Sequence, residues 1–159
     1  MTAKLAAKTL RAKAAKIRLF LCDVDGVLTG GTIYHFVDTT GELVEFKGMN
    51  AQDSIALAWM AESGLTTGVI SGRLSKGTQA RLQMLKVTHI YQHRLDKAAV
   101  LEAIMAEEKV GSEHVAYMGD DLPDLAVMSR VALAIAPSNA RPEVKAAAPV
   151  AREQMVPML

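Results

Sequence analysis

The sequence predicts an α/β fold built on a doubly wound, mostly parallel sheet. Three observations carry that expectation. Short apolar runs recur at 17–23, 65–70, 89–91, 114–118 and 131–135, each of strand length. Stretches with helical spacing separate them, and such alternation favours a parallel sheet covered on both faces. Polar clusters follow the runs, where open α/β sheets bind their ligands.

Taken in order, residues 4–16 read as an Ala-rich helix with Leu5 and Leu10 leaning on the body. The run 17–23 is a buried strand ending at Asp23. Residues 32–36 and 43–46 flank Asp38-Thr-Thr-Gly41, the pattern of a β-hairpin. Residues 52–63 fit a helix in which Ile55, Ala58, Trp59 and Glu62 keep the 3.6-residue period, closed by Gly64. The strand 65–70 runs into Ser71-Gly72-Arg73. A helix over 75–85 leads to a short strand at 89–91. Residues 96–109 form an amphipathic helix carrying Val100, Leu101, Ile104 and Met105. Strand 114–118 precedes Gly119-Asp-Asp-Leu-Pro-Asp124. A helix to about Ser129, a strand over 131–135 and a helix opened by Pro142 complete the alternation.

With 159 residues, half of them hydrophobic, the chain reads as one domain over 1–159. Aromatics make up only 4%, so aliphatic residues and Met must build the core. A net charge of +1 argues for no strongly charged partner. The exception is the N-terminus, where Lys4, Lys8, Arg11, Lys13, Lys16 and Arg18 precede the first acid, Asp23. A nucleic-acid arm or an organellar presequence shares that bias. No aromatic residue interleaves the charges for base stacking, so a surface helix is expected. The single Cys22 excludes an internal disulfide. No apolar run reaches membrane-spanning length and no secretory core is evident. The expectation is a cytoplasmic protein with no nucleic-acid or membrane partner.

The polar clusters carry the chemistry. Asp23 and Asp25 follow the first strand, Ser71 the second, and Asp120, Asp121 and Asp124 the fourth, while Lys97 opens a helix. An Asp-rich turn with an Asx cap explains a bare Asp-x-Asp equally well. Several carboxylates converging with a lysine and a hydroxyl suit a hard cation and a phosphate instead. Mg²⁺ takes one or two carboxylates and completes its shell with water and phosphate oxygens.

Asp23-Val-Asp-Gly-Val-Leu-Thr29, Ser71-Gly-Arg73, Asp96-Lys97 and Gly119-Asp-Asp-Leu-Pro-Asp124 resemble, in order, the four motifs of the haloacid dehalogenase superfamily. The finer likeness is to the cap-less branch containing the 3-deoxy-D-manno-octulosonate 8-phosphate phosphatases. It adds the basic helix running into Lys16-Ile17-Arg18 and the hairpin with Ile33-Tyr34 and Gly41-Glu42, and covers about residues 10–148. The resemblance implies a Rossmann-like haloacid dehalogenase fold with a hairpin insertion at 32–46 and no cap domain. It also implies a Mg²⁺-dependent phosphomonoesterase acting on a small phosphorylated metabolite in lipopolysaccharide synthesis, assembled as a homotetramer through the hairpin.

Residue by residue, the resemblance makes Asp23 the nucleophile that forms an aspartyl-phosphate, and a metal ligand. Asp25 protonates the leaving oxygen, activates water, and binds metal through its backbone carbonyl. Ser71 hydrogen-bonds the phosphoryl group, and Lys97 neutralises Asp23 and the phosphate. Asp120 is the side-chain metal ligand, supported from behind by Asp121 and Asp124. Gly72, Arg73 and Thr29 are expected to contact substrate. His35, His89, His93 and His114 lack metal spacing and read as structural. Three departures from the branch concern the substrate. Gly30 replaces an acid, Asn50-Ala51-Gln52-Asp53 replaces an Arg-Asp-Gly-like stretch, and the end at 151–159 lacks a Gly-Gly-Arg-Gly tail. The alternatives are the same chemistry on a nonulosonate 9-phosphate or aryl phosphate, or a non-catalytic subunit of an assembly.

Overall fold

The computed structural model describes residues 3–148 and 150–152, with side chains described over 9–148. Six parallel strands form one sheet in the order β5-β4-β1-β6-β7-β8. They are β1 (Leu19–Cys22), β4 (Thr66–Ile70), β5 (His89–Tyr91), β6 (Val115–Met118), β7 (Leu133–Pro137) and β8 (Val150–Arg152). The antiparallel pair β2 (Tyr34–Val37) and β3 (Leu43–Phe46) stands apart as the expected hairpin. The doubly wound α/β class is therefore the observed one, and the described residues include no cap domain.

Strand β1 shows why the apolar runs are continuous rather than alternating. Leu19 and Leu21 face one layer and Phe20 and Cys22 the other, so every residue is buried. On the first face lie α4 (Lys97–Glu108), α5 (Leu125–Met128) and α6 (Pro142–Ala147), through Leu101, Ile104, Val127 and Val144. On the second lie α2 (Ala51–Glu62) and α3 (Lys76–Met84), through Leu57 and Leu82. Leu10 of α1 (Ala3–Ala14) packs there too, as expected. The hairpin turn is locked by Asp38, whose Oδ1 accepts from the Thr40 and Glu42 amides at 2.8 and 2.9 Å.

The structure corrects three expectations. The strand placed at 131–135 occupies Leu133–Pro137, and a further edge strand, β8, follows α6. In α2 the apolar period points the wrong way. Ile55 and Trp59 are 49% and 68% exposed, while Ser54 and Leu57 are buried. Ser54 is tolerated inside because its Oγ donates to the Asn50 carbonyl at 3.0 Å. Of the altered tail at 151–159, the first two residues belong to β8 and 153–159 lie outside the described residues.

The order of the sheet positions the site. The chain leaves β1 toward β4 and β5, then returns across it to β6, so the winding reverses between β1 and β6. Asp23 follows one of these strands and Asp120 the other, and the Asp23 amide extends their ladder by donating to Met118 O at 3.0 Å. Replacing Leu57 by Ala should cost about 2–5 kcal/mol in urea denaturation. Trp59→Ala should stay within about 0.5 kcal/mol. The reverse order would show that α2 is turned the other way.

Candidate active site

A cavity of about 430 Å³ opens at the carboxyl ends of β1, β4 and β6. Asp23, Asp25, Ser71, Gly72, Arg73, Lys97, Asp120, Asp121 and Asp124 all line it. Lys97 is almost fully buried, and its Nζ lies 3.0 Å from Asp23 Oδ1 and 2.7 Å from Asp124 Oδ1. Asp96 holds the start of α4 by accepting from the Ala99 amide at 3.0 Å, which aims Lys97 inward.

Asp124, 1% exposed, organises the cluster. Its Oδ1 accepts from Lys97 and from the Tyr117 hydroxyl at 2.8 Å. Its Oδ2 accepts from the Asp120 and Asp121 amides at 2.9 and 3.1 Å. Asp23, Asp120 and Asp124 each offer an oxygen, all within 4.8 Å of one another. Asp124 is nevertheless fully occupied by donors, whereas Asp120 Oδ1 is buried with no hydrogen-bond partner. A buried, unpaired carboxylate oxygen facing another carboxylate fits a hard cation held by Asp23 and Asp120. Asp121 is more exposed; its Oδ1 caps the following turn through the Leu122 amide at 2.8 Å.

Two glycines are required by this packing. Gly26 has φ +89°, and a Cβ there would lie 2.0 Å from Asp120 Oδ2. A Cβ on Gly119 would lie 2.3 Å from Asp124 Cβ. The loop after β1 is closed separately, by Leu28 and Thr29 amides donating to Val24 O at 2.9 and 3.1 Å.

Burial pushes the Asp23 carboxyl up to about 6, although Lys97 pulls it down. Burial, then the charges of Asp23 and Asp124, push Asp120 up to about 7. Burial would lower Lys97, but the charges of Asp23 and Asp124 outweigh it and raise it. The lysine is charged and the two carboxylates resist losing their protons together.

Not every expected residue reaches the cavity. Thr29 is 4% exposed, does not line the cavity, and donates to Val24 O at 3.3 Å. It is buried as a turn anchor rather than presented to a ligand. Arg73 lines the cavity while pairing with Glu45 of the hairpin at 2.7 Å. His89 is buried against Glu108 at 2.7 Å, and His114 Nδ1 lies 2.8 Å from Lys16 O. His93 is exposed in a left-handed turn, φ 55°. Of the departures, Gly30 is exposed, and Asn50 caps α2 by accepting from Gln52 and Asp53 amides at 2.8 and 3.4 Å.

Sequence reasoning missed Lys47. Its buried ammonium lies 2.7 Å from Asp25 Oδ1 and 3.2 Å from Glu45 Oε1, tying the hairpin to the first motif. It also missed Tyr117 as a donor and Asn139, whose Nδ2 donates to Gly26 O at 2.8 Å. None of these belongs to a local motif; only the fold brings them in.

The fold and site define a hydrolase class, and the comparisons agree. A family description of haloacid dehalogenase-like hydrolases matches residues 49–153. The 3-deoxy-D-manno-octulosonate 8-phosphate phosphatase of Yersinia pestis is 38% identical over 130 residues, covering 82% of this chain and 67% of that protein. A crystal structure of the enzyme of that name from Yersinia pestis superposes with a TM-score of 0.82 at 36% identity, over 88% of this chain and 74% of that one. The enzyme of that name from Moraxella catarrhalis, in complex with magnesium, phosphate and KDO, gives 0.84 at 31% identity, over 91% and 81%. The chain belongs to the haloacid dehalogenase-like hydrolases. Within them it is a phosphatase, of the cap-less kind similar to the octulosonate 8-phosphate phosphatases.

The raised carboxyls give a pH-dependent response to cation. Unfolded, both would titrate near 4. The cation-free fold therefore holds protons that the unfolded chain releases. Their stabilising contribution is complete below about pH 4 and is lost as pH rises through about 6 for Asp23 and about 7 for Asp120. A cation held by both carboxylates would have to displace those protons, so Mg²⁺ should raise the Tm more at about pH 8 than at about pH 5. Equal gains at both pH values would refute the assignment of these two ligands.

Proposed function

We propose that this chain is a Mg²⁺-dependent phosphomonoesterase working through an aspartyl-phosphate, acting on a phosphorylated sugar acid such as 3-deoxy-D-manno-octulosonate 8-phosphate. The supporting observation is the convergence of Asp23, Lys97 and the unpaired Asp120 oxygen in one cavity at the switch point of the sheet. The names of the similar proteins supply the substrate.

Asp23 and Asp120 side chains would hold the Mg²⁺, with the Asp25 carbonyl. When bound, it supplies charge that lowers repulsion between Asp23 and the phosphate and stabilises the equatorial oxygens. Asp23 attacks phosphorus and the ester oxygen leaves with a proton from Asp25. Asp25 then takes a proton from the water that attacks the mixed anhydride, releasing phosphate and restoring Asp23. The buried Lys97 ammonium holds Asp23 in line, and the Ser71 hydroxyl donates to a phosphoryl oxygen. Lys47 fixes the Asp25 carboxyl from the hairpin side. The hairpin exposes Tyr34, Phe36, Leu43 and Phe46, and an assembly through this ribbon, as a homotetramer, would cover them. The proposed setting is the cytoplasm, with a small soluble metabolite as substrate; among the described residues no helix is long and apolar enough to cross a membrane.

Asp23→Asn should abolish turnover of p-nitrophenyl phosphate and of sugar-acid phosphates in Mg²⁺. Asp25→Asn should lose about 10²–10⁴ in rate. An Asp23→Asn enzyme at wild-type rate would refute the mechanism. A panel of octulosonate 8-phosphate, nonulosonate 9-phosphates, sugar phosphates and phenyl phosphate tests the substrate through kcat/KM, and a winner outside the sugar acids would displace it.

A charged replacement, Phe36→Glu, should lower the assembly state seen by sedimentation. A wild type that sediments as a monomer at micromolar concentration would contradict the tetramer.

A further inference from the structure

Among the described residues, Arg94 is the cavity-lining cation that no carboxylate holds. Lys97 is held by Asp23 and Asp124, and Arg73 by Glu45 at 2.7 Å with Asp25 at 3.9 Å. Arg94 lines the same cavity, yet its guanidinium has no carboxylate partner among the described residues.

Its position is set by backbone. The Ser71 amide donates to Tyr91 O at 2.9 Å, the Arg94 amide to Ser71 O at 3.0 Å, and the His93 amide to Arg73 O at 3.2 Å. The loop after β5 is thus zipped to the loop after β4, and the left-handed turn at His93 carries Arg94 onto the rim. The wall between them is low, because a Cβ on Gly72 would only touch Leu95 at 3.7 Å. Depth separates Arg94 from the phosphoryl seat. Ser71 and Lys97 are 3% and 5% exposed, whereas Arg94 is exposed and Leu95 beside it is 86% exposed.

An unpaired guanidinium at the mouth of a cavity otherwise rich in carboxylates has one favourable use. It repels no anion, forms a two-pronged pair with a planar carboxylate, and is weakly hydrated. Asp23, Gly72 and Arg94 line one cavity, so a substrate whose phosphate sat at Asp23 would have room to extend past Gly72 toward it.

We propose that Arg94 is a specificity-determining residue that binds a carboxylate on the leaving alcohol, so that the cavity selects phosphate esters of carboxylated alcohols. This rests on the phosphatase function proposed above. The three departures from the octulosonate pattern leave it intact, since it lies on a different loop.

The test uses the full chain with Mg²⁺ and three substrates: octulosonate 8-phosphate, its methyl ester, and phenyl phosphate. The ester keeps every atom of the acid's reacting end and removes the charge. Wild type should prefer the acid. Arg94→Ala should lower the acid-to-ester ratio of kcat/KM by about tenfold or more. Arg94→Glu should invert the preference, and Arg94→Lys should recover part of it. Equal losses on acid and ester would place Arg94 on the phosphoryl group and overturn the inference, as would no loss on either. A wild type that hydrolyses phenyl phosphate without distinguishing acid from ester overturns it through the substrate, leaving the phosphatase chemistry standing. A wild type inactive on all three would instead remove the proposed function on which it rests.

Discussion

The arrangement depends on one buried carboxylate, Asp124. It receives four donors from three parts of the chain: Lys97 at the start of α4, Tyr117 in β6, and the amides of Asp120 and Asp121. Through Lys97 it reaches Asp23 after β1. The loop after β6 therefore cannot move without disturbing the loop after β1. Removing one partner from such a buried network strands the others, which costs about 3–5 kcal/mol. The same geometry frees Asp120: its amide is tied down while its Oδ1 is left unpaired. Asp124 thus aims the residue proposed to hold the cation.

The backbone makes this closeness possible. β1 and β6 are neighbours at the reversal of winding, which brings two acid-bearing loops side by side. The loops approach further because Gly26 and Gly119 lack a Cβ where Asp120 and Asp124 pack. Burial in these crowded loops raises both carboxyls, Asp23 to about 6 and Asp120 to about 7, and neighbouring carboxylates, Asp124 for both and Asp23 for Asp120, add to it. That electrostatic strain is a standing attraction for a cation, built into the strand order rather than into any one side chain.

The fold and the cluster that lines the cavity were legible because both are written locally. Fully apolar runs mark strands buried on two faces, and Asp23, Ser71, Lys97 and Asp120 lie at or just beyond the ends of regular elements. What was not legible depends on tertiary partners. The period through Ile55 and Trp59 in α2 is a valid helical stripe, but the sheet meets Leu57 instead, and nothing local distinguishes the two faces. Lys47 is one lysine among many until the hairpin folds its Nζ onto Asp25. Thr29 belongs to a motif by spacing and to the Val24 turn by hydrogen bonding.

The chemistry and the selectivity of this chain are held by different kinds of structure. Asp23, Lys97 and Asp124 are buried and mutually constrained, so each limits what its neighbours can be. The cavity mouth is another matter. Leu95 lines it, and Leu74 and Leu122 adjoin the lining residues Arg73 and Asp121 along the chain; all three are well exposed. With these residues exposed, water reaches the lip, and charges there act through a higher dielectric than at Lys97. A substrate or neighbouring subunit that covers these leucines would dry the lip and strengthen any pairing at Arg94. Selectivity at such a rim grows with closure, while the phosphoryl seat is already enclosed. The proposed reaction type therefore rests on the buried network alone, whereas the choice of substrate depends on what completes the mouth.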